Sequence, residues 1–312
     1  MTGQPALVTE GGAKVTGAKV TGALGPRRAI ATALRDLRAK SGKSLSEVAE
    51  DLDQMISTSK LSRLENAQGK PQRRDIRDLI IYYEIDGTPL ATRLRRWVDA
   101  AQRPGWWTDV DDEVLAPGGL DAHLAYETDA AVVRAYTIPF VPALLQTTDY
   151  AEAVFRNMEH RTEDEIRQLL DVRKRRQEAL SQREGLAPLQ LIAVAHESAL
   201  RQAVGAQSIM RAQLNELLER SHAPNVSLRV LPFATAPIST MTCMYAYFEY
   251  QDADNLEKDV VHIETHAGFL TIEEPDRVAT YRRAHDALVE ASLSEDDSRA
   301  LIRSVRDDLP GK

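Results

Sequence analysis

Three groups of side chains in this 312-residue chain have types and spacing that could do chemistry. The first is Ser57, Thr58, Ser59, Lys60, Ser62 and Arg63, a run of small hydroxyls and two cations, with Lys43 upstream. Short hydroxyls donate to phosphate oxygens, and Lys or Arg reaches guanine O6 and N7 when a helix enters the major groove. The second is His262, Glu264 and His266, which alternate within VVHIETH. On a strand all three would project from one face about 7 Å apart at successive positions. That spacing could present zinc ligands or a histidine with its orienting carboxylate, but no further protein ligand accompanies it, so a polar sheet face is favoured and no metal is expected. The third is Glu197, which with His196 sits between the strand-like LQLIAVA and the helix-like ESALRQAV. A carboxylate there either faces a ligand crevice or caps the helix, and capping is the commoner case. Trp106, Trp107 and Tyr126 are the aromatic candidates for an effector pocket beside Glu197, although adjacent indoles in a loop more often fill an interdomain crevice. There is no glycine-rich phosphate loop, nucleophile elbow or catalytic cysteine context, so no catalytic residue and no cofactor are assigned.

The elements that must position the first group can be read from spacing. Ser44 and Glu47 form a capping box, so a helix starts there. Leu45, Val48, Ala49 and Leu52 then fall on one stripe, with Glu47, Glu50 and Asp51 facing water. Ser57 can cap a second helix whose inward residues are Leu61 and Leu64. Before this hairpin, Pro26 takes a favoured first helical position, Ile30, Leu34 and Leu37 follow at helical spacing, and Gly42 closes the helix. After it, Pro71 breaks the chain, Ile76, Leu79, Ile80 and Tyr83 make a fourth stripe, and Thr88 with Pro89 opens a fifth helix through Leu90, Leu94 and Trp97. Five helices over residues 26–103 are therefore expected.

The run ALRDLRAKSGKSLSEVAEDL followed by STSKLSRLEN resembles the xenobiotic-response-element type of helix-turn-helix, a group that includes phage repressors. One departure is a longer turn: Asp53, Gln54, Met55 and Ile56 stand where that family has a glycine and a single apolar residue. Farther on, VPALLQTTDYAEAV, RKRRQEAL, HESALRQAVG, MRAQLNELLE, PNVSLRVLPF and EASLSEDDSRALI are similar, in order and spacing, to the uncharacterised domain of actinobacterial WhiJ-like regulators. The resemblance implies a cytoplasmic transcription factor that binds a double-stranded DNA operator, often encoded beside a small acidic partner protein. It supplies neither a ligand nor a mechanism.

Charge divides the chain in the same way. Residues 26–103 carry 16 Lys plus Arg against 11 Asp plus Glu, a net of +5, the first 25 residues carry +1, and the remainder carries −14 of the overall −8. A basic module suits a DNA surface, while the acidic part is repelled from it and faces away. The single cysteine, Cys243, excludes an intrachain disulfide and any multi-cysteine zinc site, and its apolar surroundings suggest a buried, inert thiol. No apolar run is long enough to span a membrane and no signal peptide is apparent, which points to the cytosol. Residues 1–25 hold the repeat AKVTGAKVTG, too poor in bulky apolar residues to bury much surface, so a disordered leader is expected.

Past Arg103, Pro104, Gly105, Pro117, Gly118 and Gly119 mark residues 104–125 as a connecting segment. From residue 126 to 307 strands and helices mingle. AVVRAYTI, LQLIAVA, VSLRVLPF, MYAYFEY and DVVHIET read as strands, four or five in all. Helices are expected from Thr148, after the Thr162 and Glu165 capping box, across ESALRQAV and SIMRAQLNELLERS, and over the two C-terminal segments. The basic run RKRR at 173–176 reads as a solvated helix face. The expected fold is multidomain, an all-α five-helix helix-turn-helix domain followed by an α+β effector or dimerisation domain. Two functions from different classes follow. One is a homodimeric, sequence-specific regulator whose second domain senses a small-molecule effector or a partner protein. The alternative is an enzymatic second domain that the helix-turn-helix localises or docks.

Overall fold

The computed structural model describes residues 24–53, 55–115, 119–157, 161–235, 243–250, 258–265 and 268–310. Of the leader expected over residues 1–25, residues 1–23 lie outside them, as do Gln54, Pro117, Gly118 and His266, while Leu24 and Gly25 are described and Gly25 already begins a helix. Five helices open the chain: α1 (Gly25–Ser41), α2 (Leu45–Asp51), α3 (Thr58–Glu65), α4 (Arg73–Tyr82) and α5 (Pro89–Gln102). Their stripes converge as spacing predicts. Ile30, Leu34, Val48, Leu61, Ile76, Leu79, Ile80, Leu94 and Trp97 form one apolar core, which the turn residue Ile56 completes. Burial of this shared core holds seven- and eight-residue helices that would be marginal alone.

The second domain contains α6 (Asp112–Leu115), α7 (Leu120–Asp129), β1 (Val132–Thr137), α8 (Thr148–Arg156), α9 (Glu163–Glu178) and β2 (Gln190–His196). There follow α10 (Ser198–Arg201), α11 (Gln207–Arg220), β3 (Val226–Leu231), β4 (Tyr245–Glu249), β5 (Val260–Thr265), β6 (Gly268–Ile272), α12 (Pro275–Ala291) and α13 (Glu295–Asp307). The six strands form one mixed sheet in the order β3-β2-β1-β4-β5-β6. The pairs β1–β2 and β2–β3 are parallel, as helical crossovers require, and the remaining three pairs are antiparallel. On one face Val133, Phe248 and Val260 pack with Leu145, Tyr150, Leu214, Leu217 and Ile302. On the other, Tyr136, Val194, Tyr245 and Val261 pack against Val278 and Leu288 of α12.

Several expectations need correction. Residues 104–125 are not a plain connector, because they contribute α6 and the start of α7. Trp107, Leu115, Leu124 and Ala125 bury themselves against Val172 of α9, so the segment is tied into the second domain by its own apolar cluster. Strand β6 went unread: GFLTI is short and partly exposed, and it lacks the alternation of a half-buried strand. ESALRQAV yields only the four-residue α10. RKRR is not a wholly solvated face, since Arg176 is buried and makes two hydrogen bonds to Glu127, at 2.7 and 2.8 Å. Cys243 is half-buried rather than buried.

The two domains touch through the start of α1. Leu24 packs into the core of the second domain, and the Gly25 amide donates to Asp129 Oδ2 at 3.3 Å. Arg28 pairs with Glu273 at 3.1 Å and lies over the Tyr126 ring, 5.4 Å from its centre. Tyr126 in turn donates to Glu273 Oε1 at 2.9 Å.

Candidate nucleic-acid interface

Helix α2 begins as the Ser44 and Glu47 spacing dictates: the Ser44 hydroxyl accepts from the Glu47 amide at 3.2 Å, and the Ser44 amide donates to the Glu47 carboxylate at 2.8 Å. Helix α3 starts at Thr58, and its Ser57 cap accepts from the Lys60 amide at 3.3 Å. The long turn between them closes on the buried Ile56 and leaves Met55 61% exposed. Asp53 takes φ +48°, the left-handed conformation that a glycine would adopt freely and that Asp tolerates better than most residues.

Leu61 and Leu64 anchor α3 to the core, so the helix presents a defined outer face. Ser57, Thr58, Ser59 and Arg63 are exposed there and Ser62 is half-buried. Arg63 makes no ion pair among the described residues. Two other predicted cations are placed differently. The Lys60 ammonium lies 2.7 Å from Asp75, whose side chain is 1% exposed, so Lys60 neutralises a buried charge rather than pointing outward. Lys43 pairs with Asp51 and sits over the Tyr82 ring, 5.4 Å from its centre, and the Tyr82 hydroxyl donates to the same carboxylate at 2.6 Å. Asp51 is held below the usual carboxylate range first by the Lys43 hydrogen bond and then by that of Tyr82. Lys43 belongs to the frame that fixes α2 against α4.

Sequence reasoning missed two parts of this surface. Arg73, Arg74 and Arg77 at the start of α4 are exposed, with side-chain exposures of 75%, 70% and 63%, but Arg73 pairs with Asp99 at 2.6 Å and Arg77 with Asp78 at 2.9 Å, so the net positive charge beside the α3–α4 contact at Asp75 comes from Arg74 and the exposed Lys70. Their clustering in KPQRRDIR was visible, but only the fold shows that it lies beside α3, through the Lys60–Asp75 contact. The other part is the clamp behind that helix. Arg38 of α1 donates to both oxygens of the buried Glu65, Nε at 2.7 Å and Nη2 at 2.8 Å. This bidentate geometry fixes the end of α3 in direction as well as distance.

A family model described as a helix-turn-helix domain matches residues 29–93, from within α1 to the first turns of α5. A second, described as a domain of unknown function, DUF5753, matches residues 120–304, more than half of the chain. The chain belongs to the DUF5753 family. No curated protein and no solved structure matches it. Of the residues expected to face an effector, Trp106 and Trp107 precede the DUF5753 match, whereas Tyr126 and Glu197 fall within it. Trp107 is buried, with its ring 5.6 Å edge-on from Trp106. Trp106 donates to Thr128 at 3.2 Å and is covered by Arg175. Tyr126 lies at the domain junction. Glu197 accepts from Arg201 at 2.7 Å and from the Phe233 amide at 2.9 Å, a clasp that joins the end of β3 to α10.

The VVHIETH motif resolves in the same manner. His262 is buried and its Nε2 shares a 2.8 Å hydrogen bond with Thr271 on β6, whereas Glu264 is exposed at the strand end. Burial holds the His262 imidazole neutral, with its pKa pushed down to about 2. No cluster of three metal-capable side chains occurs among the described residues. His262 stacks with Phe269 and lies beside His123, Tyr126 and Phe248, an aromatic packing role. Next to it, burial pushes the Glu127 carboxyl up, but the Arg176 guanidinium outweighs this and holds it at about 2.

Proposed function

We propose that the protein is a sequence-specific, DNA-binding transcriptional regulator that acts as a homodimer. The carrying observation is the outer face of α3: Thr58, Ser59 and Arg63 stand exposed on a helix braced by Leu61, Leu64, the Lys60–Asp75 pair and the Arg38–Glu65 clamp. Such a helix can enter the major groove with Arg63 set for a guanine edge and the hydroxyls for phosphates. Lys70 and Arg74 extend the phosphate-binding margin.

The homodimer supports specificity, because one short helix reads few base pairs. Two copies would read half-sites ~34 Å apart, one helical turn, or a multiple of that. In this reading the DUF5753 domain dimerises and receives a signal, from a small molecule or a small acidic protein encoded nearby. As in the WhiJ-like actinobacterial regulators that the chain resembles, it would work in the cytoplasm; among the described residues no helix is long and apolar enough to cross a membrane. The catalytic alternative has little to build on, since Glu197 and His262 are committed to contacts within the protein. Selection from a random-sequence duplex library tests the proposal. Recovery of a pseudo-palindrome supports it, and a pool that stays random after repeated rounds contradicts it.

A further inference from the structure

Where the two domains meet, α1, the end of α3 and the β6–α12 corner enclose a groove of about 450 Å³. That volume falls in the range of small-molecule sites, roughly 300–1,000 Å³. Three carboxylates line it, and each already has a cation. Glu65 is held by Arg38, Glu273 by Arg28 at 3.1 Å, and Glu274 by Arg277 at 3.6 Å. Of the three cations that line it, Arg28 is engaged by Glu273. The other two, Arg35 from the first domain and the half-buried Lys258 from the second, make no hydrogen bond or ion pair among the described residues. The groove's uncompensated charge is therefore positive and divided between the domains.

We infer that this groove binds a small molecule carrying a phosphate or carboxylate group, held between Arg35 and Lys258. An anion in that position would contact both domains at once, beside Asn66 and Ala67 at the end of α3. It would add an attraction across the junction that the Arg28–Glu273 pair alone does not supply, and would bias the angle at which the reading helix is presented. A DNA phosphate is a poorer occupant. Thr58 and Ser59 lie at the opposite end of α3, ~10 Å away at 1.5 Å per residue. The consequence for transcription rests on the DNA-binding reading, whereas the binding itself does not.

The test uses the full-length protein without DNA. Pyrophosphate and citrate are titrated at constant ionic strength while the melting temperature is followed, for the wild type, Arg35→Ala, Lys258→Ala and the exposed control Lys174→Ala. The wild type and the control should show a saturable rise with at least one of the two anions, and the midpoint should move at least tenfold in Arg35→Ala and Lys258→Ala. All four should melt alike without anion; if an alanine variant does not, Arg35→Gln or Lys258→Gln replaces it. A response that does not saturate, or is the same in all four proteins, overturns the inference. So does a pair of variants that lose DNA affinity while keeping the anion response, since the cations would then be DNA contacts. Loss of operator binding in the wild type, with the anion response intact, would instead contradict the regulator reading alone.

Discussion

The Lys60 ammonium on α3 lies 2.7 Å from the buried carboxylate of Asp75 on α4. No hydrogen bond satisfies either Asp75 oxygen, and Lys60 is the nearer of the two cations that balance them, the Arg74 Nε lying 3.9 Å away. Its neighbour Arg63 has no such partner among the described residues. Two cations three residues apart on one helix therefore have different tasks, and substitution separates them. Lys60→Ala should destabilise the fold by about 1–3 kcal/mol, because a buried carboxylate loses its compensation. Arg63→Ala should leave the melting temperature unchanged and weaken operator binding by about 1–3 kcal/mol, with relaxed specificity at one base pair. Melting curves and binding isotherms on both variants check this. Equal effects of the two on stability would remove the distinction.

The Arg38–Glu65 clamp joins α1 to the end of α3 with two hydrogen bonds. Arg38→Lys keeps the charge but cannot reproduce the planar fork, so it should recover only part of the stability lost in Arg38→Ala. The loss in Arg38→Ala should be about 2–4 kcal/mol by urea denaturation, since Glu65 is left buried and unpaired. A loss below about 0.5 kcal/mol would show that the carboxylate escapes to water.

Helix ends offer a gain in stability. Ala67 and Glu84 adopt φ values of +55° and +54° just past α3 and α4. The bonds Gln68 N to Arg63 O and Ala67 N to Leu64 O, with their counterparts Ile85 N to Ile80 O and Glu84 N to Ile81 O, define Schellman caps in which glycine is the favoured residue. Ala67→Gly and Glu84→Gly should each stabilise the protein by up to about 1 kcal/mol, the left-handed penalty relieved less the entropy glycine adds to the unfolded chain. Calorimetry decides it, and a lowered melting temperature in both would contradict the cap assignment.

What was legible in the sequence was local. The Ser44–Glu47 and Thr162–Glu165 boxes, the Ser57 and Thr88 caps and the helical stripes act within a few residues, so spacing alone places their helices. Lys60 and Asp75 are 15 positions apart, Arg38 and Glu65 27, and Arg28 and Glu273 245. Periodicity shows that Lys60 leaves the core stripe, but not that another helix brings a carboxylate to meet it. Helix α7 was hidden by the glycines before it, and β6 by its lack of alternation. The effector candidates were chosen for being aromatic or acidic, yet the junction groove is lined by ordinary charged residues whose significance lies in which of them remain unpaired.

Acid should unfold the protein early. Burial holds His262 and His285 neutral, with pKa values of about 2 and about 4 against 6.5 in the unfolded chain. Between the folded and unfolded values the unfolded state binds more protons, so stability rises with pH and is lost on acidification below about 6.5. Each histidine should remove about 1–2 kcal/mol between pH 7 and pH 5. Glu127, with its carboxyl held at about 2 against 4.5, adds a loss in the same direction below pH 4.5. Urea midpoints at pH 7, 6 and 5 check the slope, which should flatten in His285→Gln. A midpoint independent of pH would place these imidazoles in water.

Whether α3 reads DNA sequence is decided by an electrophoretic shift on the protein's own promoter, with scrambled duplex as competitor. A complex that survives a hundredfold excess of scrambled DNA, weakens steeply as salt is raised and loses affinity and specificity in Arg63→Ala is the predicted result. Competition by scrambled and promoter DNA at equal concentrations would contradict it.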